Sequence, residues 1–266
     1  MKFGICANIN AKDQWGVGFD AIPMLASLGY DYLELPLMQM VSMPEEAFDE
    51  EVAGRLSAAN IRCGACNCFL PGSVRLTGGE VSAAQIEEYV GRAMARAARI
   101  GAPVVVLGSS GARNVPAGTS VAEGYQQLAH ALRIIGPIAA RWGIQIAIEP
   151  LNPIESNIVN TYMSGLYLAA LAAQPNVGTL VDAYHFCLVN EPLADLYACA
   201  PTHVHYADLQ GRLIPKAPSA TGRAFFAALK DSGYNGRVSL EGSIAPGAEL
   251  SRSAALALDA LRTMCD

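Results

Sequence analysis

Short apolar runs closed by turn residues alternate with longer amphipathic stretches along this chain, and the alternation repeats eight times at a spacing of about 30 residues. The strand-like runs are Lys2–Cys6, Tyr32–Leu35, Ile61–Cys66, Pro103–Leu107, Gln145–Glu149, Val177–Asp182, Thr202–Tyr206 and Arg237–Glu241. Between them the spacing predicts helices at Gly18–Leu28, Glu45–Ala58, Ser82–Ile100, Ser120–Trp142, Thr161–Ala173, Pro192–Cys199 and Thr221–Ser232, with Leu250–Met264 closing the chain. Repeated strand–helix units imply parallel strands joined by right-handed crossovers. Eight units in 266 residues predict one (β/α)₈ TIM barrel domain over residues 1–266, with no linker. A doubly wound open sheet is the alternative, and it would show a Gly-rich phosphate loop after the first strand. The segment there reads ANINAKDQWG, without that fingerprint.

Composition narrows the class. The chain is 52% hydrophobic and 16% charged with a net charge of −6, which supports a large core and argues against a nucleic-acid binder. No apolar run reaches the roughly 20 residues that span a bilayer, and the N-terminus turns polar too soon for a signal peptide, so a cytoplasmic protein without membrane contact is expected. Seven cysteines without a leader read as reduced thiols. Cys63, Cys66 and Cys68 lack a second pair at zinc-finger spacing and are read as packing residues.

Four strand ends carry chemistry. Glu149 ends QIAIE, Asp182 ends the run in LVDAYHF with His185 three residues on, His203 and His205 alternate in HVHYAD, and Glu241 ends SLE. In a barrel, consecutive strand tips converge on one cavity. Glu149, Asp182, His205 and Glu241 then form a carboxylate-rich set suited to Mn²⁺, with Co²⁺ or Mg²⁺ as alternatives. His203, deeper on its strand, reads as a packed or hydrogen-bonded residue, and Glu34, alone on its strand, as a solvated turn residue.

These residues resemble the xylose-isomerase-like sugar isomerase/epimerase superfamily, and within it the ketose 3-epimerases of the D-tagatose 3-epimerase type. The match rests on Glu149, Leu151-Asn152, Glu155 and Asn160-Thr161, then Asp182 to His185, His203 to His205, and Glu241. The resemblance implies a divalent-metal-dependent enzyme acting on a small sugar, with Glu149 and Glu241 as the proton-transfer pair inverting C3 of a ketose through an enediolate. It also implies that Glu155 orients Glu149 or a substrate hydroxyl and that His185 contacts the substrate near O2. A homodimer or homotetramer is expected by analogy.

Three further stretches bear on substrate. Arg212 lies one residue beyond the family's substrate-gripping arginine, in a loop where Asp208 replaces a glutamate, and is the candidate clamp. Gly108-Ser109-Ser110-Gly111-Ala112-Arg113 could bind a phosphate or carboxylate through backbone N–H groups and Arg113, or be a tight turn with a structural arginine. Trp15, Phe69 and Leu70 form an apolar wall at the mouth or pack the loops. An anionic substrate would favour a hydroxypyruvate or tetrose isomerase; a metal-assisted lyase on an oxidised sugar or glycoside is the reading from another class. A DNA-repair endonuclease of the same superfamily is disfavoured by only four histidines and net acidity.

Overall fold

The computed structural model describes residues 1–9 and 13–266. Strands β1 (Lys2–Cys6), β2 (Tyr32–Pro36), β3 (Cys63–Asn67), β4 (Val104–Leu107), β5 (Gln145–Ile148), β6 (Val177–Asp182), β7 (His203–Tyr206) and β8 (Arg237–Leu240) pair in parallel and in chain order. The sheet closes where β8 meets β1, with Phe3 opposite Val238 and Ile5 opposite Leu240. This is the expected (β/α)₈ barrel, and no open sheet edge remains. Of the segment after β1 whose missing glycine pattern argued against a dinucleotide fold, residues 10–12 lie outside the described residues.

Alternation within each strand divides the core into two. Outward-facing side chains join the helices in one continuous hydrophobic layer, where Phe225, Phe226 and Tyr206 stack at 5.3–6.2 Å. A second, smaller apolar cluster gathers Ala65, Val104, Val106, Ala147 and Leu180 inside the barrel. The Tyr32 ring fills the β1–β3 side, where Gly4 and Gly64 have no room for a Cβ, and its hydroxyl shares a 2.9 Å hydrogen bond with Ser239.

The long helices follow their sequence signals. Ala83–Arg99 is capped by Ser82, which accepts from the Gln85 N–H, and Val121–Ala140 by Ser120. Tyr162–Ala172 opens with a reciprocal capping box between Thr161 and Ser164. Two of the expected helices depart locally from the α form. The helix expected at Glu45–Ala58 loosens into a wider turn at Asp49–Gly54, and Pro192–Cys199 tightens to a 3₁₀ segment, Leu193–Tyr197. Additional short helices lie at Leu37–Ser42, Ser110–Arg113 and Ala183–Leu188. Among the described residues no helix is long and apolar enough to cross a membrane.

Candidate functional site

At the C-terminal ends of β5 to β8 the expected acids and histidine converge. One ligand atom from each of Glu149, Asp182, His205 and Glu241 lies within 4.8 Å of the others. Strand register explains the meeting. Asp182 pairs with His205 across β6 and β7, and Glu241 follows β8 with its N–H bonded to the Tyr206 carbonyl at 3.1 Å. His205 Nδ1 sits 3.1 Å from Glu149 Oε1 and 3.1 Å from Glu241 Oε2, so the two glutamates flank one nitrogen. Asp182 divides its oxygens. Oδ1 accepts the Tyr184 and His185 N–H groups at the start of the following helix, and Oδ2 faces the cluster, 3.2 Å from Arg212 Nη2.

Gathering three carboxylates in a buried pocket is unfavourable without positive charge. Burial and the neighbouring Glu241 push the Glu149 carboxyl up. Burial acts on Glu241 the same way, but His205 and Arg212 outweigh it and hold that carboxyl below the usual range. Arg212 Nη2 stands 2.9 Å from Glu241 and 3.2 Å from Asp182, while Nη1 lies 3.5 Å from Glu155. Its guanidinium also lies over the Tyr184 ring at 5.1 Å. The donor set, three carboxylates and one imidazole around a single point with a guanidinium already drawn in, fits a divalent cation with mostly oxygen ligands.

Around this centre the other expected residues divide. Glu155 accepts from Asn152 Nδ2 at 2.9 Å, and the same amide meets His185 Nδ1 at 2.9 Å. His185 is buried, and its Nε2 has no hydrogen-bond partner; it lies 3.7 Å from Asp182 and 3.9 Å from Glu155. Glu155, His185 and Arg212 therefore do border the cluster. For Arg113 and Phe69 the structure shows the packed arrangement of the two left open above, and neither borders the cluster as a substrate contact. Arg113 is buried, because the short helix Ser110–Arg113 turns it into the barrel wall, where Nη1 donates to the carbonyls of Leu107 and Glu149 at 3.0 and 2.6 Å. It braces the end of β5 and offers no loop site for an anion. Phe69 is wholly buried against Tyr89, with ring centroids 6.4 Å apart, and Leu70 is buried with it. Trp15 is only partly buried and packs against the core.

Several residues around the site carried no such expectation. Glu34, read above as a solvated turn residue, is wholly buried and bonds both His203 and His205. Asn67, at the end of β3, donates to Glu241 Oε1 at 3.0 Å. Cys6 contributes a sulfur within 4.8 Å of ligand atoms of His205 and Glu241. As expected, His203 is hydrogen-bonded and packed, and Cys63 and Cys66 face each other in the core at 3.8 Å, whereas Cys68 lies just past β3 and is exposed. Strand-end position alone signals Asn67; only the opposing strands reveal what Glu34 faces.

The profile of the xylose isomerase-like TIM barrel family matches residues 22–264. The chain belongs to that family. Among curated relatives it is 26% identical over 243 residues to a ketose 3-epimerase from Arthrobacter globiformis, spanning 85% of this chain and 80% of that one. It is also 26% identical over 143 residues to a probable ketose 3-epimerase from Synechocystis, a match that spans only half the length of either protein. The solved D-psicose 3-epimerase of Clostridium cellulolyticum H10 superposes with a TM-score of 0.86 over 100% of both chains at 17% identity, a likeness of fold.

Proposed function

We propose that this member of the xylose isomerase-like TIM barrel family is a divalent-cation-dependent sugar epimerase, an isomerase that inverts C3 of a small ketose. One observation carries the reading: Glu149 and Glu241 flank the same His205 Nδ1 at 3.1 Å, within a four-residue cluster that fits a cation. The ketose 3-epimerases among the relatives support the sugar substrate. Mn²⁺ is the first candidate cation, with Co²⁺ or Mg²⁺ as alternatives for such a donor set.

A bound divalent cation would supply an electrophile for the substrate's carbonyl and adjacent hydroxyl oxygens. The chain's residues do the rest. One of Glu149 and Glu241 takes the proton from the carbon beside the carbonyl, leaving the electron pair delocalised onto oxygen. The other returns a proton to the opposite face, which inverts the centre without net redox change. Asn67 fixes Oε1 of Glu241 and Arg113 anchors the Glu149 carbonyl, so both carboxyl groups are held on rigid strand ends. His185 Nε2, without a protein partner, is free to meet a substrate hydroxyl, and Glu155 and Arg212 border the same space. Arg113 lies in the barrel wall, so the argument for a phosphorylated or carboxylated substrate loses its support and a neutral sugar is favoured. A homodimer or homotetramer is part of the same proposal, and exposed Met163 and Tyr167 on the helix Tyr162–Ala172 offer it an apolar surface.

The test is solvent deuterium incorporation, followed by NMR, into free ketoses, sugar phosphates and hydroxypyruvate with Mn²⁺, with and without chelator. Metal-dependent exchange at C3 of a free ketose supports the proposal. Exchange at C1 instead refutes it in favour of an aldose–ketose isomerase. Exchange only with anionic substrates, or release of a leaving group instead of exchange, refutes it in favour of an isomerase or a lyase.

A further inference from the structure

Glu34 takes no part in the reaction just described, yet it is the most enclosed carboxylate among the described residues, with no exposed surface. Its Oε1 lies 2.9 Å from His205 Nε2, and its Oε2 lies 2.8 Å from His203 Nε2. An ionised carboxylate only accepts hydrogen bonds, so each imidazole must place a proton on Nε2. For His205 the consequence is directional. With Nε2 committed to Glu34, Nδ1 is the nitrogen that faces Glu149 and Glu241.

We propose that Glu34 is the positioning residue that selects the Nε2–H form of His205, so that Nδ1 is the atom offered to a bound divalent cation. The inference rests on the cation site of the proposed function. Ligating histidines commonly give their second N–H to a carboxylate, which fixes both ring orientation and tautomer. Here the carboxylate is itself fixed. His203 occupies its second oxygen, Ser239 Oγ lies 3.2 Å from the same His203 nitrogen, and Tyr32 shares a hydrogen bond with Ser239 at 2.9 Å. Gly4 and Gly64 leave the room that the Tyr32 ring occupies. Glu34 therefore cannot swing away from His205 without breaking a chain that crosses from β2 to β7 and β8. His203 Nδ1 is buried without a partner, which suits a nitrogen that carries a lone pair and no proton.

Glu34, His203 and His205 also lie close enough together to be read as a second cation site. Against that, both carboxylate oxygens are already engaged at hydrogen-bond distance, and all three side chains are wholly buried. The experiment separates the readings on the full-length protein. Long-range ¹H–¹⁵N spectra of the wild-type chain loaded with diamagnetic Zn²⁺ should find the His205 proton on Nε2 and the cation on Nδ1. Titration with Mn²⁺ should give one site per chain. In Glu34→Gln the amide turns its NH₂ toward His205, because a proton moved to His205 Nδ1 meets Glu149 and Glu241 whereas one moved to His203 Nδ1 meets no acceptor, and Mn²⁺ affinity should fall about 10- to 100-fold. His203→Gln, which leaves the Glu34–His205 bond in place, should lose less.

Ligation through Nε2 in the wild type overturns the proposal, and so does unchanged Mn²⁺ affinity in a folded Glu34→Gln protein. Two Mn²⁺ per wild-type chain and one in Glu34→Gln overturn it in favour of a second metal site. A wild-type chain that takes up no divalent cation overturns the metal reading itself, and this inference with it.

Discussion

Gly108→Ala should separate catalysis from folding more cleanly than any substitution of a ligand. Gly108 follows β4 and faces Glu149 across the strand pair. A methyl carbon added there would fall under 3.0 Å from Glu149 Oε2, with Cδ at 3.3 Å. To restore ordinary van der Waals contact the carboxylate must retreat by about 1 Å. Only the end of a flexible side chain has to move, and Gly108 is not among the glycines with positive φ, so the backbone accepts alanine. Restricting the unfolded chain should then offset most of the cost, by about 0.4–1 kcal/mol. The midpoint of thermal unfolding should stay nearly constant. A catalytic group displaced by about 1 Å loses rate by about 10²-fold, equivalent to about 2.7 kcal/mol in the barrier. The assay pairs thermal unfolding with Mn²⁺-dependent deuterium exchange into the best ketose. Full exchange activity at unchanged stability would refute the requirement that Glu149 keep this position. Equal losses in both would reassign Gly108 to a structural role.

Three other expectations follow from different parts of the molecule. Glu149→Gln and Glu241→Gln should each lower exchange by about 10²- to 10⁴-fold while the protein still melts cooperatively, and one fully active variant would exclude a two-glutamate mechanism. Phe226→Ala removes a wholly buried ring stacked on Tyr206 at 5.3 Å and should cost about 3–5 kcal/mol by denaturant unfolding; a loss below 1 kcal/mol would contradict the packing described. Glu191 is pushed up to about 7 by burial and by the nearby Asp195, against the N–H that Tyr162 donates to it. A carboxyl raised in the folded state stabilises it fully below its unfolded value near 4.5, and that contribution is lost as pH rises through about 7. The group is partly exposed, so screening reduces the effect to about 1 kcal/mol. Between pH 5 and 8 the unfolding midpoint should fall more in the wild type than in Glu191→Gln, and parallel curves would rule the linkage out.

The barrel and its four-residue cluster were readable in the sequence for one geometric reason. A parallel barrel sends the residue at each strand's C-terminal tip toward a common mouth, so Glu149, Asp182, His205 and Glu241 needed only correct strand ends to be brought together. For Arg113 and Phe69 two placements stayed open in the sequence because their positions depend on how short loops turn. A glycine- and serine-rich loop looks the same in sequence whether its arginine points to solvent or, as the one-turn helix Ser110–Arg113 dictates, back under β5. Glu34 was illegible for a stronger reason. Its partners lie 169 and 171 residues further along the chain, and a lone acid on a short strand carries no local sign that it faces inward. What makes it tenable there is the barrel's small interior: wide enough for a Tyr32 ring only where Gly4 and Gly64 lack side chains, and too narrow to admit water freely to the acid. An acid sealed in such a space must be fully bonded. The residue that the sequence made look most dispensable is thus the one whose burial makes sense only if both facing histidines are held in a single protonation pattern.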